Sequence, residues 1–175
     1  IYFLNCLADN CTLRHLDLRC NTEVTASGWS AFSAILLNPI SAMEKLDLGW
    51  NSIDDDVLVP LLNSLRNNSK LKELFIDGNS ITIYSWEPLS NVLCNKSSVT
   101  GTFNSNHTLQ NIFAEKRNEY YFPSDLKTLL QLNRENTNAG AARRKILQVH
   151  FSGGDFNMQP FVDMDLKSLP LAVAW

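Results

Sequence analysis

The side chains that most obviously could form a functional site are three consecutive aspartates, Asp54, Asp55 and Asp56. Clustered carboxylates of this kind can hold a metal ion. These three, however, stand at the start of a predicted helix, where carboxylates cap free backbone N–H groups and interact favourably with the helix dipole. We therefore interpret them as a helix start and predict no metal site.

The thiols and imidazoles suggest no reaction centre. The four cysteines are Cys6, Cys11, Cys20 and Cys94, and the three histidines are His15, His107 and His150. The cysteines have neither metal-ligand spacing nor an obvious disulfide framework, so we interpret them as reduced structural thiols. No histidine pairs with a nucleophile in the sequence, and no glycine-rich loop that could cradle a phosphate is present. We predict no catalytic residue, no cofactor and no enzymatic activity.

The elements that position these side chains come from a string that recurs three times. The copies are Leu13-x-x-Leu16-x-Leu18-x-x-Asn21, Met43-x-x-Leu46-x-Leu48-x-x-Asn51 and Leu71-x-x-Leu74-x-Ile76-x-x-Asn79. Their starts lie 30 and then 28 residues apart. Self-similarity at this period predicts a solenoid, in which each unit buries its apolar face only against its neighbours. Such an array presents a surface and needs no reaction centre.

Each unit combines two hydrophobic periods. The alternation of Leu16 with Leu18 predicts a short strand with one buried face. The second half of the middle unit changes to helical spacing, with leucines at positions 58, 61, 62 and 65. The recurring asparagine stands where the chain leaves the strand, so its amide can satisfy backbone groups of the neighbouring turn.

This pattern resembles the leucine-rich repeats of the ribonuclease-inhibitor-like class over residues 1–99. The resemblance implies an α/β fold, a right-handed solenoid with a parallel sheet on the concave side and helices on the convex side. Gly28 fits the usual glycine at the helix start, whereas Val57 and Ser85 replace it. Because proline is tolerated in the first helical turn, Pro60 and Pro88 predict helices that begin no earlier than about positions 57 and 85.

The domain organisation follows from where the repeats fail. We assign residues 1–120 to the repeat array, with a partial repeat at 1–12, repeats from 13, 43 and 71, and a last strand at 109–114. The polar residues 96–107 are interpreted as an irregular inserted loop. Residues 121–175 form a predicted helical C-terminal cap, because the exposed end of a solenoid must be covered. Its helices are predicted from position 123, at 139–151 and at about 159–169, and Arg143, Arg144 and Lys145 are interpreted as a solvated face.

Composition limits the classes of partner that we expect for this chain. The chain has 175 residues, a net charge of −3 and no block of like charges, which argues against nucleic acid because backbone binding needs a concentrated basic face. No apolar run reaches about 18 residues, so we expect no membrane partner. Both ends look like cuts in a longer protein. We expect a cytoplasmic monomer; a secreted or ectodomain location and glycosylation at the four Asn-x-Ser/Thr sites stay open.

The concave face supplies the candidate binding residues. Side chains that alternate with the buried leucines point to this face, which predicts that Asp17 lies beside Asp47 and that Phe75 lies beside Phe113. The candidate protein-binding residues are Asp17, Arg19, Asp47, Trp50, Phe75, Asp77 and Phe113. Two alternatives stay open: the phenylalanines pack beneath a C-terminal segment, and the aspartates are solvated charges close to arginine and lysine.

The resemblance implies a non-enzymatic scaffold that binds another protein through this sheet, since the class mostly comprises scaffolds, sensors and inhibitors. The alternative is a regulator of a small GTPase, such as a GTPase-activating protein of the Ran type, which has the same repeat. No residue of this sequence is singled out for that activity.

Overall fold

A computed structural model describes residues 10–114 and 122–152 of the chain. Its sheet has four parallel strands in chain order: β1 (His15–Asp17), β2 (Lys45–Asp47), β3 (Glu73–Phe75) and β4 (Asn111–Phe113). The central residues of the strands stand in one row of Leu16, Leu46, Leu74 and Ile112. Leu46 and Leu74 are buried, and the two end members pack half-buried against the same core. The predicted leucine row is confirmed.

Helices follow the strands and cover the outer side of the sheet. They are α1 (Ala26–Leu37), α2 (Asp55–Ser64), α3 (Trp86–Leu93), α4 (Val99–Phe103), α5 (Ser124–Glu135) and α6 (Asn138–His150). Helices α1, α2 and α3 pack side by side, each with its apolar stripe on the core. The parallel sheet with outer helices and a helical C-terminal region is the predicted α/β leucine-rich-repeat solenoid.

The start of α2 corrects one prediction. The helix begins at Asp55, two residues before the limit that Pro60 was expected to set. A proline at the sixth helical position leaves the carbonyl of Asp56 without its helical donor, and water can reach that residue because it is exposed. Asp54 caps the helix by accepting a hydrogen bond from the N–H of Val57 at 3.1 Å. The limit at position 85 is confirmed, since α3 begins at Trp86.

A ladder of buried asparagines joins neighbouring repeats. The Oδ1 of Asn79 accepts from the N–H groups of Asn51 and Ile53 at 2.9 and 3.0 Å. Its Nδ2 donates to the carbonyls of Leu48 and Ile76 at 2.9 and 3.0 Å. Asn51 bonds to the first repeat in the same way: its Oδ1 accepts from the N–H of Asn21, and its Nδ2 donates to the carbonyl of Leu18. The role predicted for these asparagines is confirmed.

The segment 96–107, interpreted as an inserted loop, is instead structured. It contains α4, whose N-terminus is capped by the Ser98 hydroxyl. The Thr102 hydroxyl donates to the carbonyl of Asn95 at 2.8 Å. Asn106 is 1% exposed, and its side chain bonds to the carbonyls of Leu65 and Asn68. The polar residues that suggested a loop satisfy backbone groups inside the fold.

The two C-terminal helices of the described residues pack on the preceding helices and on each other. Helix α5 packs on α3, and α6 packs on α4 and α5. Lys145 is fully buried in α6, so the interpretation of residues 143–145 as one solvated face is wrong for this residue. The helix expected at 159–169 and the helical end of the partial first repeat lie outside the described residues.

Candidate functional site

The candidate binding residues stand in register across the strands. Asp17, Asp47, Phe75 and Phe113 form one row of neighbouring positions, each directly after a residue of the leucine row. Because side chains alternate along a strand, this row faces away from the core. We call the surface that it forms with the adjacent side chains of β1 to β4 the concave face.

Two aromatic rings stack on this face. The rings of Phe75 and Phe113 have their centroids 4.1 Å apart and their planes within 11°. The ammonium of Lys45 lies 4.5 Å from the centroid of Phe75 and 3.6 Å from a carboxylate oxygen of Glu73. Phe113 belongs to β4, the last strand of the sheet order, and is 41% exposed. The predicted adjacency of the two rings is confirmed, and their apolar surface faces solvent.

The carboxylates of the first two strands share one cation. The guanidinium of Arg19 donates to Asp17 at 2.7 Å through Nη2, and its Nε lies 3.4 Å from Asp47. The hydrogen bond from Arg19 lowers the pKa of the Asp17 carboxyl. The structure thus shows these aspartates as charges that are balanced by an arginine, as the alternative for them described.

Asp77 and Trp50 complete the predicted set at the ends of the strands. Asp77 lies beside Gly49, and the backbone carbonyl of Asp77 accepts a hydrogen bond from the N–H of Trp50 at 2.8 Å. Trp50 occupies a turn with φ 60° and covers Gly78. It is 48% exposed and lies at the rim, beyond the strands. Six of the seven candidate residues thus lie on the concave face, and Trp50 borders it.

A shallow depression connects most of these residues. Its volume is about 510 Å³, and its lining includes Asp17, Arg19, Lys45, Asp47, Phe75 and Asp77. Acidic, basic and aromatic side chains all reach this space. A surface of this composition can contact a peptide or protein through ion pairs and aromatic packing.

Sequence reasoning missed a buried cluster around Lys145. The Nζ of this residue donates to the carbonyls of Leu93 and Asn106 at 2.7 and 3.0 Å, and it lies 3.3 Å from Nδ1 of His107. Burial lowers the pKa of Lys145 to about 7, and burial together with the lysine charge lowers the pKa of His107 to about 4. The signal in the sequence is that Lys145 shares the apolar stripe of α6 with Ala142. This cluster joins α6 to the repeats and does not line the concave face.

The described residues offer little for other chemistries. No group of three or more histidine, cysteine, aspartate or glutamate side chains is close enough to hold a metal ion within them. Among the helices formed by the same residues, none has the length and apolarity that crossing a membrane requires.

Comparison with known proteins supports the fold. The sequence matches the family model described as leucine rich repeat over residues 9–33 and 42–61. The C-terminal domain of tropomodulin from Caenorhabditis elegans has a TM-score of 0.50 and 16% identity, covering 83% of this chain and 96% of that chain. The leiomodin-1 actin-binding site 2 has a TM-score of 0.53 and 15% identity, covering 83% of this chain and 92% of that chain. A comparison with curated proteins finds no match.

The sequence match covers the first two repeats, and the structural matches extend the same architecture over most of the chain. Together with the leucine row and the parallel sheet, these findings show that the chain has a leucine-rich repeat fold.

Proposed function

We propose that this chain is a non-enzymatic module that binds another protein through its concave face. The observation that carries the proposal is the stack of Phe75 on Phe113, which exposes an apolar surface on the last two strands of the sheet, next to the charged side chains of the first two. Aromatic side chains surrounded by polar groups are typical of the residues that dominate binding energy at protein interfaces. The candidate residues of the sequence analysis surround this stack.

The titratable groups favour binding over catalysis. Arg19 is held by Asp17 and Asp47, and Lys45 by Glu73, so these charges are arranged as ion pairs. No nucleophile lies within hydrogen-bond distance of a general base in the depression that the described residues form. Regulation of a small GTPase has no support in either similar structure.

Actin is the first partner to test, because the leiomodin-1 domain is described as an actin-binding site. This chain is similar to that domain in its fold, at 15% sequence identity, so actin binding has to be measured directly. Cosedimentation of this chain with filamentous actin, and gel filtration with monomeric actin, examine both forms. A partner other than actin leaves the proposed face unchanged.

Site-specific photo-crosslinking tests which face binds. We place p-benzoylphenylalanine at Phe113 on the concave face, and at Asn91, an exposed residue of α3, as the matched control on the convex side. We expect a crosslinked partner from position 113 and none from position 91. Capture of the same partner from position 91 alone would refute the proposal.

Two further assignments accompany this proposal. We propose residues 121–175 as the cap of the array at 1–120, supported by the packing of α5 on α3 and of α6 on α4. We also propose a cytoplasmic location, supported by the free thiols of Cys11, Cys20 and Cys94, because free thiols persist in reducing compartments. Fluorescence microscopy of the tagged protein tests the location.

A further inference from the structure

The first repeat shows how this sheet holds a guanidinium. Arg19 stands two residues after Asp17, and its side chain lies against the carboxylates of two neighbouring strands. Asp17 belongs to its own repeat and Asp47 to the next. The arginine thus bridges the same row position of two adjacent repeats.

The second repeat has no arginine at this position, and Phe75 stands where the first repeat meets Asp47, so its neighbouring carboxylates are Asp47 and Asp77. The position equivalent to Arg19 is Gly49, as the parallel backbone hydrogen bonds on either side show. A Cβ built on Gly49 would lie 3.2 Å from Oδ1 of Asp47 and 3.2 Å from Oδ1 of Asp77. Two carboxylates therefore flank a residue that has no side chain, and one of them, Asp47, already accepts the N–H of Gly49 at 3.0 Å. Within the described residues, the carboxylate of Asp77 has no hydrogen-bond or ion-pair partner.

The aromatic stack stands next to this place. Phe75 is paired in register with Asp47 and precedes Asp77 by two residues. With Lys45 over one side of Phe75 and Phe113 stacked on the ring, the exposed part of the stack is Phe113. Phe113 and Gly49 stand two strands and two residues apart, which is about 12 Å.

We propose that the concave face docks a partner segment whose arginine lies over Gly49 and contacts the carboxylates of Asp47 and Asp77, and whose neighbouring apolar side chain covers Phe113. The inference rests on the proposed function and specifies the chemistry of the partner. Charge complementarity carries it, because Asp77 lacks the cation that Asp17 and Asp47 receive from Arg19. Arginine is favoured over lysine, since a planar guanidinium can bridge two carboxylates and stack on an aromatic ring.

An NMR titration tests this place without a known partner. The probe is N-acetyl-arginine amide, compared with N-acetyl-glutamine amide at equal concentration. We expect the arginine probe to shift the backbone amide signals of Gly49 and Asp77, and the glutamine probe to leave them unchanged. Asp77→Asn should weaken the binding by about two- to fivefold, the range for one exposed ion pair. Glu87→Gln, which removes an exposed carboxylate from α3, should leave it unchanged.

The outcomes separate this inference from the proposed function. Equal shifts with both probes, or undiminished arginine binding by Asp77→Asn, would overturn the arginine site, while a partner crosslinked from position 113 would leave the binding face intact. Absence of any crosslink from position 113 would overturn the face and, with it, the inference. A captured partner that binds unchanged after its contacting arginines are replaced would also contradict it.

Discussion

Removing the side chain of Asn79 is the sharpest test of how the repeats are held together. Asn79 is 5% exposed, and its side chain satisfies two buried N–H groups and two carbonyls of the second and third repeats. Alanine can make none of these four hydrogen bonds. At a net value of about 1 kcal/mol for each bond, Asn79→Ala should lower the free energy of unfolding by about 4 kcal/mol.

Asn21 provides the matched control, because it occupies the equivalent position at the exposed end of the ladder. Its side chain donates to the carbonyls of Leu18 and Arg19, where water can replace it. Asn21→Ala should therefore cost about 1 kcal/mol or less.

Urea unfolding followed by far-ultraviolet circular dichroism measures both variants against the parent chain. The prediction is a much larger fall in the unfolding midpoint for Asn79→Ala than for Asn21→Ala. Equal losses in the two variants would refute the reasoning, since the buried ladder would then contribute no more than an exposed turn.

Three further predictions follow from the core, a turn and the buried cluster. Leu46→Ala should lower the free energy of unfolding by about 3 kcal/mol, while Leu37→Ala, at an exposed position, should change it by less than about 0.5 kcal/mol; urea unfolding checks both. Gly78→Ala should cost at least about 1–2 kcal/mol, because its φ of 67° disfavours a side chain and an added Cβ would collide with the ring of Trp50, and thermal unfolding measures the loss. Since the pKa of His107 is lowered to about 4 in the fold, its contribution to stability should be complete above about pH 6.5 and fall as the pH decreases toward 4. The lowered pKa of Lys145 should make the free energy of unfolding rise further from about pH 7 to pH 10. Urea midpoints measured from pH 4 to 10 check that stability rises with pH in both ranges. If His107→Gln left the slope below pH 6.5 unchanged, the prediction for His107 would be contradicted.

The repeat architecture could be predicted because its signals are local and periodic. The alternation around Leu46 gives a strand, and the shift to helical spacing gives the following helix. Once the strands are aligned by their repeats, the register places Phe75 beside Phe113 without further information. Those parts of the concave face therefore followed from sequence alone.

The parts that escaped prediction depend on contacts between distant residues. Asn106 looked like a loop residue, but its amide reaches carbonyls about 40 positions earlier. Lys145 looked solvated because it follows two arginines, yet its ammonium bonds to Leu93. Polar side chains that satisfy remote backbone groups leave no periodic signature in the sequence.

The space beside Gly49 was also missed, although each of its residues was visible. Asp47 and Asp77 are candidate residues from the sequence alone, but only the structure shows that a carboxylate oxygen of each lies beside Gly49. The significance of a glycine at this position depends on the side chains around it, and the sequence does not give their positions.

The most direct test of the central claim measures how tightly the crosslinked partner binds to defined variants. Isothermal titration calorimetry would compare the parent chain, Phe113→Ser, the Phe75→Ser, Phe113→Ser double variant and the convex control Asn91→Ser, with circular dichroism verifying that each is folded. The account predicts affinity at least about tenfold weaker for both phenylalanine variants, as for residues at the centre of an interface, and unchanged affinity for the control. Unchanged affinity of a folded Phe113→Ser variant would contradict it.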